Sequence, residues 1–503
     1  MELPREYNAA VDLLERNLDA GRGAKTAFID DAGSCTYAQL AERVDRAASA
    51  LRSLGISREE RIAIAMLDSC DWPAIFLGAI KAGVVPVAMN TLLTSADYEY
   101  QLKDSRARAL FVSDALTKNF ESIKGNCPDL QHVISNVNDF IASGAPKAGA
   151  APTKRDDICF WLYSSGSTGA PKGTVHLHSH LILTAELYAK PVLGIRESDT
   201  VFSAAKLFFA YGLGNALTFP MSVGATAVLM AERPTPDAVF KRLTEKSPTI
   251  FYGVPTLYAA MLASPSFPAR EKLKLRVCTS AGEALPANLG QRWTERTGTD
   301  LLDGIGSTEM LHIFLSNKPG EVRYGTTGRP VPGYELRLID DNGNLITKAG
   351  ELGELQISGP TSAIMYWNQR EKTKNTFQGP WTKSGDKYSF DADGYYTYGG
   401  RSDDMLKVSG IYVSPAEVES ALVSHEAVLE AAVVGAPDEN KLIKPKAFVV
   451  LKPGQAASDS LKKTLQEHVK GKLAPHKYPR WIEFEKELPK TATGKIQRFK
   501  LRA

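Results

Sequence analysis

At 503 residues the chain exceeds what one ordinary hydrophobic core serves, so two or more domains are expected. A composition 43% hydrophobic and 23% charged is that of a soluble globular protein, and no run approaches the roughly 20 apolar residues a spanning helix needs. A net charge of +3 leaves no electrostatic footprint for nucleic acid, and five cysteines without CxxC spacing argue against a disulfide framework or zinc site.

The first residues, MELPREYNAAVDLLERN, are charged and amphipathic without an apolar signal region. With the scattered cysteines, this predicts a cytoplasmic protein without membrane attachment. Residues 61–67 read as a strand, 72–82 as a helix and 84–88 as a strand. A helix over 95–105 then leads to a strand over 109–113. That alternation predicts parallel sheet with crossover helices, and it recurs over 201–230 and 249–262. Residues 145–153 (APKAGAAPT) read as a surface connection.

Residues 158–163 read as a strand feeding the segment YSSGSTGAPKG, 163–173. Here Ser164, Ser165, Ser167 and Thr168 are set among Gly166, Gly169 and Gly173, with Lys172 beside Pro171. Glycines let backbone N–H groups converge on an anion, and hydroxyls with one ammonium complete a polyphosphate cradle. A Ser/Gly linker is the plain alternative, but a preceding strand, a turn proline and a lysine are foreign to linkers. The Walker pattern fails, because Pro171 stands where its second glycine is required.

From about residue 323 the chain turns to short strands, including 334–339 and 354–357, and 395–406 carries strand residues into a Gly-Arg-Asp turn. A small α/β pattern closes the chain: a helix over 414–424, strands over 431–435 and 447–451, and a helix over 460–473. The domain boundary falls near Asp403, giving an N-terminal body of 1–402 and a C-terminal domain of 403–503.

Four further segments carry polar residues that structure alone would not request. Residues 304–309 (GIGSTE) read as a Gly-rich turn that offers hydroxyls and a carboxylate suited to a phosphate-bound Mg²⁺. Residues 383–387 (KSGDK) place Asp386 to hold ribose hydroxyls, 400–410 (GRSDDMLKVSG) supply Arg401 and Lys407, and 489–498 (PKTATGKIQR) hold Lys495. In this order they resemble the acyl-adenylate-forming superfamily of acyl-CoA synthetases, peptide-synthetase adenylation domains and luciferases, over essentially the whole chain. Within it, residues 203–221 (SAAKLFFAYGLGNALTFPM) and 304–317 (GIGSTEMLHIFLSN) look like the benzoate-CoA ligase group.

The resemblance implies an α/β fold: a large N-terminal body of three subdomains, two α/β sheets plus a β-rich one, and a small mobile α+β C-terminal domain. It implies two steps, carboxylate attack on the α-phosphate of ATP with loss of pyrophosphate, then attack of the CoA thiol on the acyl-adenylate with loss of AMP. Ser164, Ser165, Gly166, Ser167, Thr168 and Lys172 would hold the triphosphate, Glu309 and Thr168 would hold Mg²⁺, and Lys495 would stabilise charge building at the α-phosphate. Asp386 and Arg401 would fix the ribose, while Gly282, Glu283, Ala284, Asp303, Gly304, Ile305, Gly306, Ser307 and Thr308 would surround the nucleotide. Many relatives have an aromatic residue where Ile305 stands, which implies altered stacking on adenine.

By matching motif positions, the acyl pocket would be lined by Phe209, Ala210, Tyr211, Tyr252, Ala281, Gly306, Leu311 and His312. This short aromatic set suits one flat ring. Benzoate, 4-hydroxybenzoate and 2-aminobenzoate all fit it, with benzoate favoured, and transfer to a carrier protein is the alternative to CoA. Rotation about Asp403 would present Lys407 and Gly410 to the site and open the CoA path. The expected assembly is a monomer or homodimer.

Overall fold

The computed structural model describes residues 2–166, 169–402, 404–408, 411–439, 442–490 and 496–502. The expected alternation builds a seven-stranded sheet in the order Met365–Tyr366, Gly169–Leu177, Ile158–Gly166, Val85–Ala88, Arg61–Ala65, Ala109–Val112, His132–Ile134. Its pairs from Ile158–Gly166 to His132–Ile134 are parallel, and the two pairs at the other end are antiparallel. The helix Ser95–Ser105 occupies the expected span because Thr94 and Asp97 form a reciprocal capping box at its start.

A second sheet of nine strands runs Arg329–Pro330, Ile313–Ser316, Leu301–Gly306, Val277–Ser280, Ile250–Gly253, Thr200–Ser203, Thr226–Val228, Thr26–Ile29, Ser34–Thr36. Between Leu301–Gly306 and Thr26–Ile29 every pair is parallel. The helix Asp71–Ala82 is buried along nearly its whole length, and the main core includes its side chains with residues of both sheets. Gly78 permits its close crossing with helix Tyr37–Ser53: a Cβ there would meet the Ala47 Cβ at 2.6 Å.

A third, largely antiparallel sheet holds Leu345–Ile346, Glu335–Ile339, Gly353–Ser358, Trp381–Phe390 and Phe377–Gln378, with Tyr396–Arg401 paired to Trp381–Phe390. Beyond it lies a small domain. The helices Pro415–Val423 and Asp459–Lys472 pack on a three-stranded sheet of Val428–Pro437, Ile443–Leu451 and Trp481–Phe484 around a core of its own. This is the expected mixed α/β body with a small C-terminal domain. Asp403 itself lies outside the described residues.

Two local expectations are revised. Residues 163–166 and 169–173 are paired antiparallel strands rather than a loop after a strand: Ser164 pairs with Lys172 and Gly166 with Gly169. Likewise Gly304, Ile305 and Gly306 are the end of a strand, paired with the antiparallel strand Ile313–Ser316, and the turn lies beyond them.

Candidate active site

The hairpin Ile158–Gly166 and Gly169–Leu177 projects its polar residues toward the turn that follows Leu301–Gly306. Tyr163 anchors it by donating its hydroxyl to Asp104 at 2.7 Å, and Tyr100 donates to the Pro171 carbonyl at 3.1 Å. Deeper in the second strand, His176 Nε2 lies 2.8 Å from the Thr308 carbonyl and its Nδ1 lies 3.0 Å from His180 Nδ1. A carbonyl only accepts, so His176 Nε2 carries the proton, and the Leu177 N–H points to His180 Nδ1 at 3.4 Å. Burial holds His176 down to about 4 and His180 well below its ordinary value, so both rings are neutral.

The turn so held presents Glu309. Its Oε1 accepts from the Tyr366 hydroxyl at 2.7 Å and from Ser164 Oγ at 3.3 Å, and Lys172 Nζ stands 3.8 Å away. Burial lowers the Lys172 pKa, the Glu309 charge opposes that shift, and Lys372 and Arg401 add to it. Lys372 and Arg401 thus add positive potential at Lys172, a distribution that draws a polyanion. Neighbouring strands supply the next pair: Asp386 and Arg401 sit opposite each other across Trp381–Phe390 and Tyr396–Arg401, with Arg401 Nη1 3.3 Å from Asp386 Oδ1. Gly385, with φ +72°, makes room for that guanidinium, because a Cβ would meet Arg401 Nη2 at 2.9 Å.

Gly282 adopts φ +93° after strand Val277–Ser280, and beside it the Glu283 carboxylate accepts from the backbone N–H of Ile496 at 3.3 Å. This contact ties the C-terminal domain to the body. Asp303 is buried, with Thr327 and the N–H groups of Leu285 and Gly304 around its carboxyl, and burial pushes its pKa up to about 7. It knits three segments of the site together. Ile305 is half-buried, packed against the main core and paired with Leu315. Ser307 accepts from the Met310 N–H at 3.2 Å, closing the turn.

At the far end of the same turn Leu311 takes φ +65° and sends the next side chain inward. His312 is enclosed by Phe219, Tyr188 and Tyr211, with ring centroids 4.5, 5.4 and 5.6 Å away, and burial depresses its pKa to about 3. Its Nε2 donates toward Asn215 Oδ1 at 3.1 Å and the Tyr211 carbonyl at 3.3 Å. The neutral ring therefore has its lone pair on Nδ1, which is buried without a hydrogen-bond partner among the described residues. Tyr252 OH and Ser280 Oγ are in the same condition. Tyr211 meets Tyr252 edge-on at 6.2 Å and hydrogen-bonds Thr279, while Ala281 is buried and Phe209 and Ala210 are half-buried against the core.

The described residues thus bring together Ser164, Lys172 and Glu309, pair Asp386 with Arg401, and gather Tyr211, Tyr252 and His312. Ser167, Thr168, Asp403, Gly410 and Lys495 lie outside the described residues, as do the side chains of Ser165 and Lys407. Sequence reading missed Tyr366, His176, His180, Tyr188 and Asn215. Their contacts reach across 57 residues for Tyr366 and Glu309 and 97 for Asn215 and His312, and although Asn215 lies within the motif 203–221, nothing local gives it this role.

Residues 14–367 match the AMP-binding enzyme family, and residues 417–495 match the AMP-binding enzyme C-terminal domain. The chain belongs to the AMP-binding enzymes. Among members of this family, it is 65% identical to the benzoate–CoA ligase of Thauera aromatica, over 100% of this chain and 97% of that protein. It superposes on the crystal structure of a benzoate CoA ligase from Burkholderia xenovorans with a TM-score of 0.94 at 59% identity, covering 99% of this chain and 100% of that one. An anthranilate CoA ligase solved with anthranoyl-AMP gives 0.96 at 48% identity, covering 100% and 98%. No helix among the described residues of this AMP-binding enzyme is long and apolar enough to cross a membrane.

Proposed function

We propose that this protein is an ATP-dependent aryl-CoA ligase that converts benzoate, or a benzoate with a small ring substituent, to its CoA thioester through an acyl-adenylate. The observation that carries the reading is the turn 307–312. At one end it sets Glu309 against Lys172 and Ser164, and at the other it sets neutral His312 in an aromatic nest. One short segment thereby joins the proposed nucleotide cradle to the proposed ring site. The 65% identity to a benzoate–CoA ligase supports the same substrate.

In the first step the acid's carboxylate oxygen attacks the α-phosphorus and the P–O bond to pyrophosphate breaks. Ser164 and Lys172 hold the departing phosphates, and Asp386 with Arg401 orients the ribose. Lys495 is assigned to the charge on the α-phosphate oxygens. The Ile496 contact with Glu283 supports a C-terminal domain docked on the body beside the proposed nucleotide site. In the second step the CoA thiol attacks the acyl carbonyl and AMP leaves, with rotation about Asp403 presenting Lys407 and Gly410. Asp403 is also the proposed border of the two domains.

Mg²⁺ fits the Glu309 position chemically. No group of three or more His, Cys, Asp or Glu side chains able to hold a metal occurs among the described residues, and one carboxylate combined with substrate phosphates is the usual Mg²⁺ arrangement. Glu309 and Thr168 would hold it, and when bound it neutralises phosphate charge.

His312 Nδ1 favours a second reading alongside the first, in which a ring hydroxyl or amino group donates to that lone pair. Pyrophosphate release measured with benzoate, 2-aminobenzoate, 4-hydroxybenzoate, cinnamate and hexanoate tests both. Benzoate and its small derivatives are expected to be turned over fastest, and a preference for hexanoate would overturn the aryl assignment.

A further inference from the structure

Tyr366 stands at the centre of the charged cluster without a role in the chemistry assigned above. It lies on the short strand Met365–Tyr366 at the edge of the seven-stranded sheet, paired across the sheet with Thr174 of the phosphate hairpin. Its backbone N–H donates to Thr373 Oγ1 at 3.0 Å and its ring packs on Phe377 with centroids 5.3 Å apart, so its place is fixed by its own surroundings. The side chain is buried, and its hydroxyl reaches both ionic groups at once. It donates to Glu309 Oε1 at 2.7 Å and accepts from Lys172 Nζ at 3.3 Å. The same ammonium lies 4.3 Å from the Tyr366 ring centroid, within cation–π range.

The consequence is visible in the ion pair. Lys172 and Glu309 are opposite charges, each less than one-fifth exposed, where attraction is strong. Yet they stand 3.8 Å apart, beyond a charge-assisted hydrogen bond, with the tyrosine hydroxyl bridging them. A lysine and a carboxylate locked directly together would have to be parted before one could take a phosphate and the other a cation. We propose that Tyr366 is a positioning residue that holds Lys172 and Glu309 apart, keeping both ready for a Mg²⁺-bound triphosphate. The inference rests on the placing of the phosphates at Lys172 and of Mg²⁺ at Glu309.

The hydroxyl saturates Oε1 with a neutral donor and offers the lysine a neutral acceptor, so each charge is satisfied without cancelling the other. Tyr366→Phe removes only this oxygen and keeps the ring on Phe377. Lys172 then closes on Glu309, and nucleotide binding has to break the pair.

The test compares wild type and Tyr366→Phe by calorimetric titration with ATP, with and without Mg²⁺, and by steady-state kinetics with benzoate. The variant is expected to bind ATP about tenfold more weakly in the presence of Mg²⁺, the size of one hydrogen bond to a charged group. It should also need more Mg²⁺ for half-saturation and keep its KM for benzoate within about twofold, a split that general loosening of the fold would not produce. Unchanged ATP affinity and Mg²⁺ dependence would overturn the inference. So would an equal rise in both KM values, or failure of the variant to fold, each of which would make the hydroxyl a structural group. Failure of the wild type to bind ATP with Mg²⁺ would instead overturn the functional reading on which the inference rests.

Discussion

His312 stands three positions beyond Glu309 of the proposed nucleotide cradle and belongs to the proposed acyl pocket. Its Nε2–H is committed to Asn215 and Tyr211, leaving Nδ1 as a buried acceptor. A buried acceptor is costly when nothing donates to it, so a substrate that brings a ring O–H or N–H gains what an unsubstituted ring does not. His312→Leu keeps bulk and removes the lone pair. We expect kcat/KM for 2-aminobenzoate or 4-hydroxybenzoate to fall about tenfold relative to that for benzoate, the size of one hydrogen bond in a buried site. Competition between paired acids, followed by product separation, measures the ratio directly, and an unchanged ratio would place the ring donor elsewhere. Because burial keeps His312 neutral down to about pH 3, the wild-type preference should be flat between pH 6 and 8.

At the scale of elements, the phosphate hairpin and the Glu309 turn are separate in sequence and made one unit by His176. His176→Ala removes the donor to the Thr308 carbonyl and the ring that His180 packs against. Leaving that carbonyl unsatisfied costs about 1–3 kcal/mol. The expected result is a lower thermal midpoint and a raised KM for ATP, with the KM for benzoate little changed. His176→Gln should restore part of the ATP affinity if its amide reaches the same carbonyl. The sequence shows where these elements are strictly local. The helix Ser95–Ser105 was legible over its full span, and its Thr94–Asp97 cap is built within three residues. The hairpin was not: serine and glycine are poor strand formers, so its continuation through Ser164 and Gly166 leaves no alternating apolar signal, and only the partner strand makes it β. The nearness of Ser164, Lys172 and Glu309, of Asp386 and Arg401, and of Tyr211, Tyr252 and His312 was legible as residue types in a known order. Tyr366 and His176 were not, since a tyrosine between Met365 and Trp367, or one histidine of three in HLHSH, acquires its role only from residues the fold brings in.

At the scale of the whole molecule, the histidines of the body form an acid-sensitive set. His176, His178, His180 and His312 are all buried, and burial depresses their pKa values to about 4, about 4, well below normal and about 3. Each sits at a junction: His178 Nδ1 accepts from the Ala9 N–H of the first helix, and the others join the hairpin, its following helix and the acyl pocket. The unfolded chain takes up a proton on each near pH 6.5, whereas the folded chain does so only near its lower values. The stability from keeping them neutral is therefore fully present above pH 6.5 and is lost as pH falls, by about 2 kcal/mol per histidine between pH 6.5 and 5. Two buried carboxyls act in the opposite sense. Burial raises Asp303 to about 7 and Asp68 to about 6, so protonating them in the folded state returns about 1–3 kcal/mol each over the same range. Four histidines outweigh two carboxyls, and the balance is a net loss of a few kcal/mol, a large fraction of the stability of an ordinary domain. The apparent thermal midpoint of the ligand-free protein should therefore fall by several degrees between pH 7 and pH 5. The loss should be reversed on returning to neutral pH before aggregation sets in. Scanning calorimetry at a series of pH values checks this, and a midpoint that held steady or rose toward pH 5 would show that the buried histidines do not govern the acid limb.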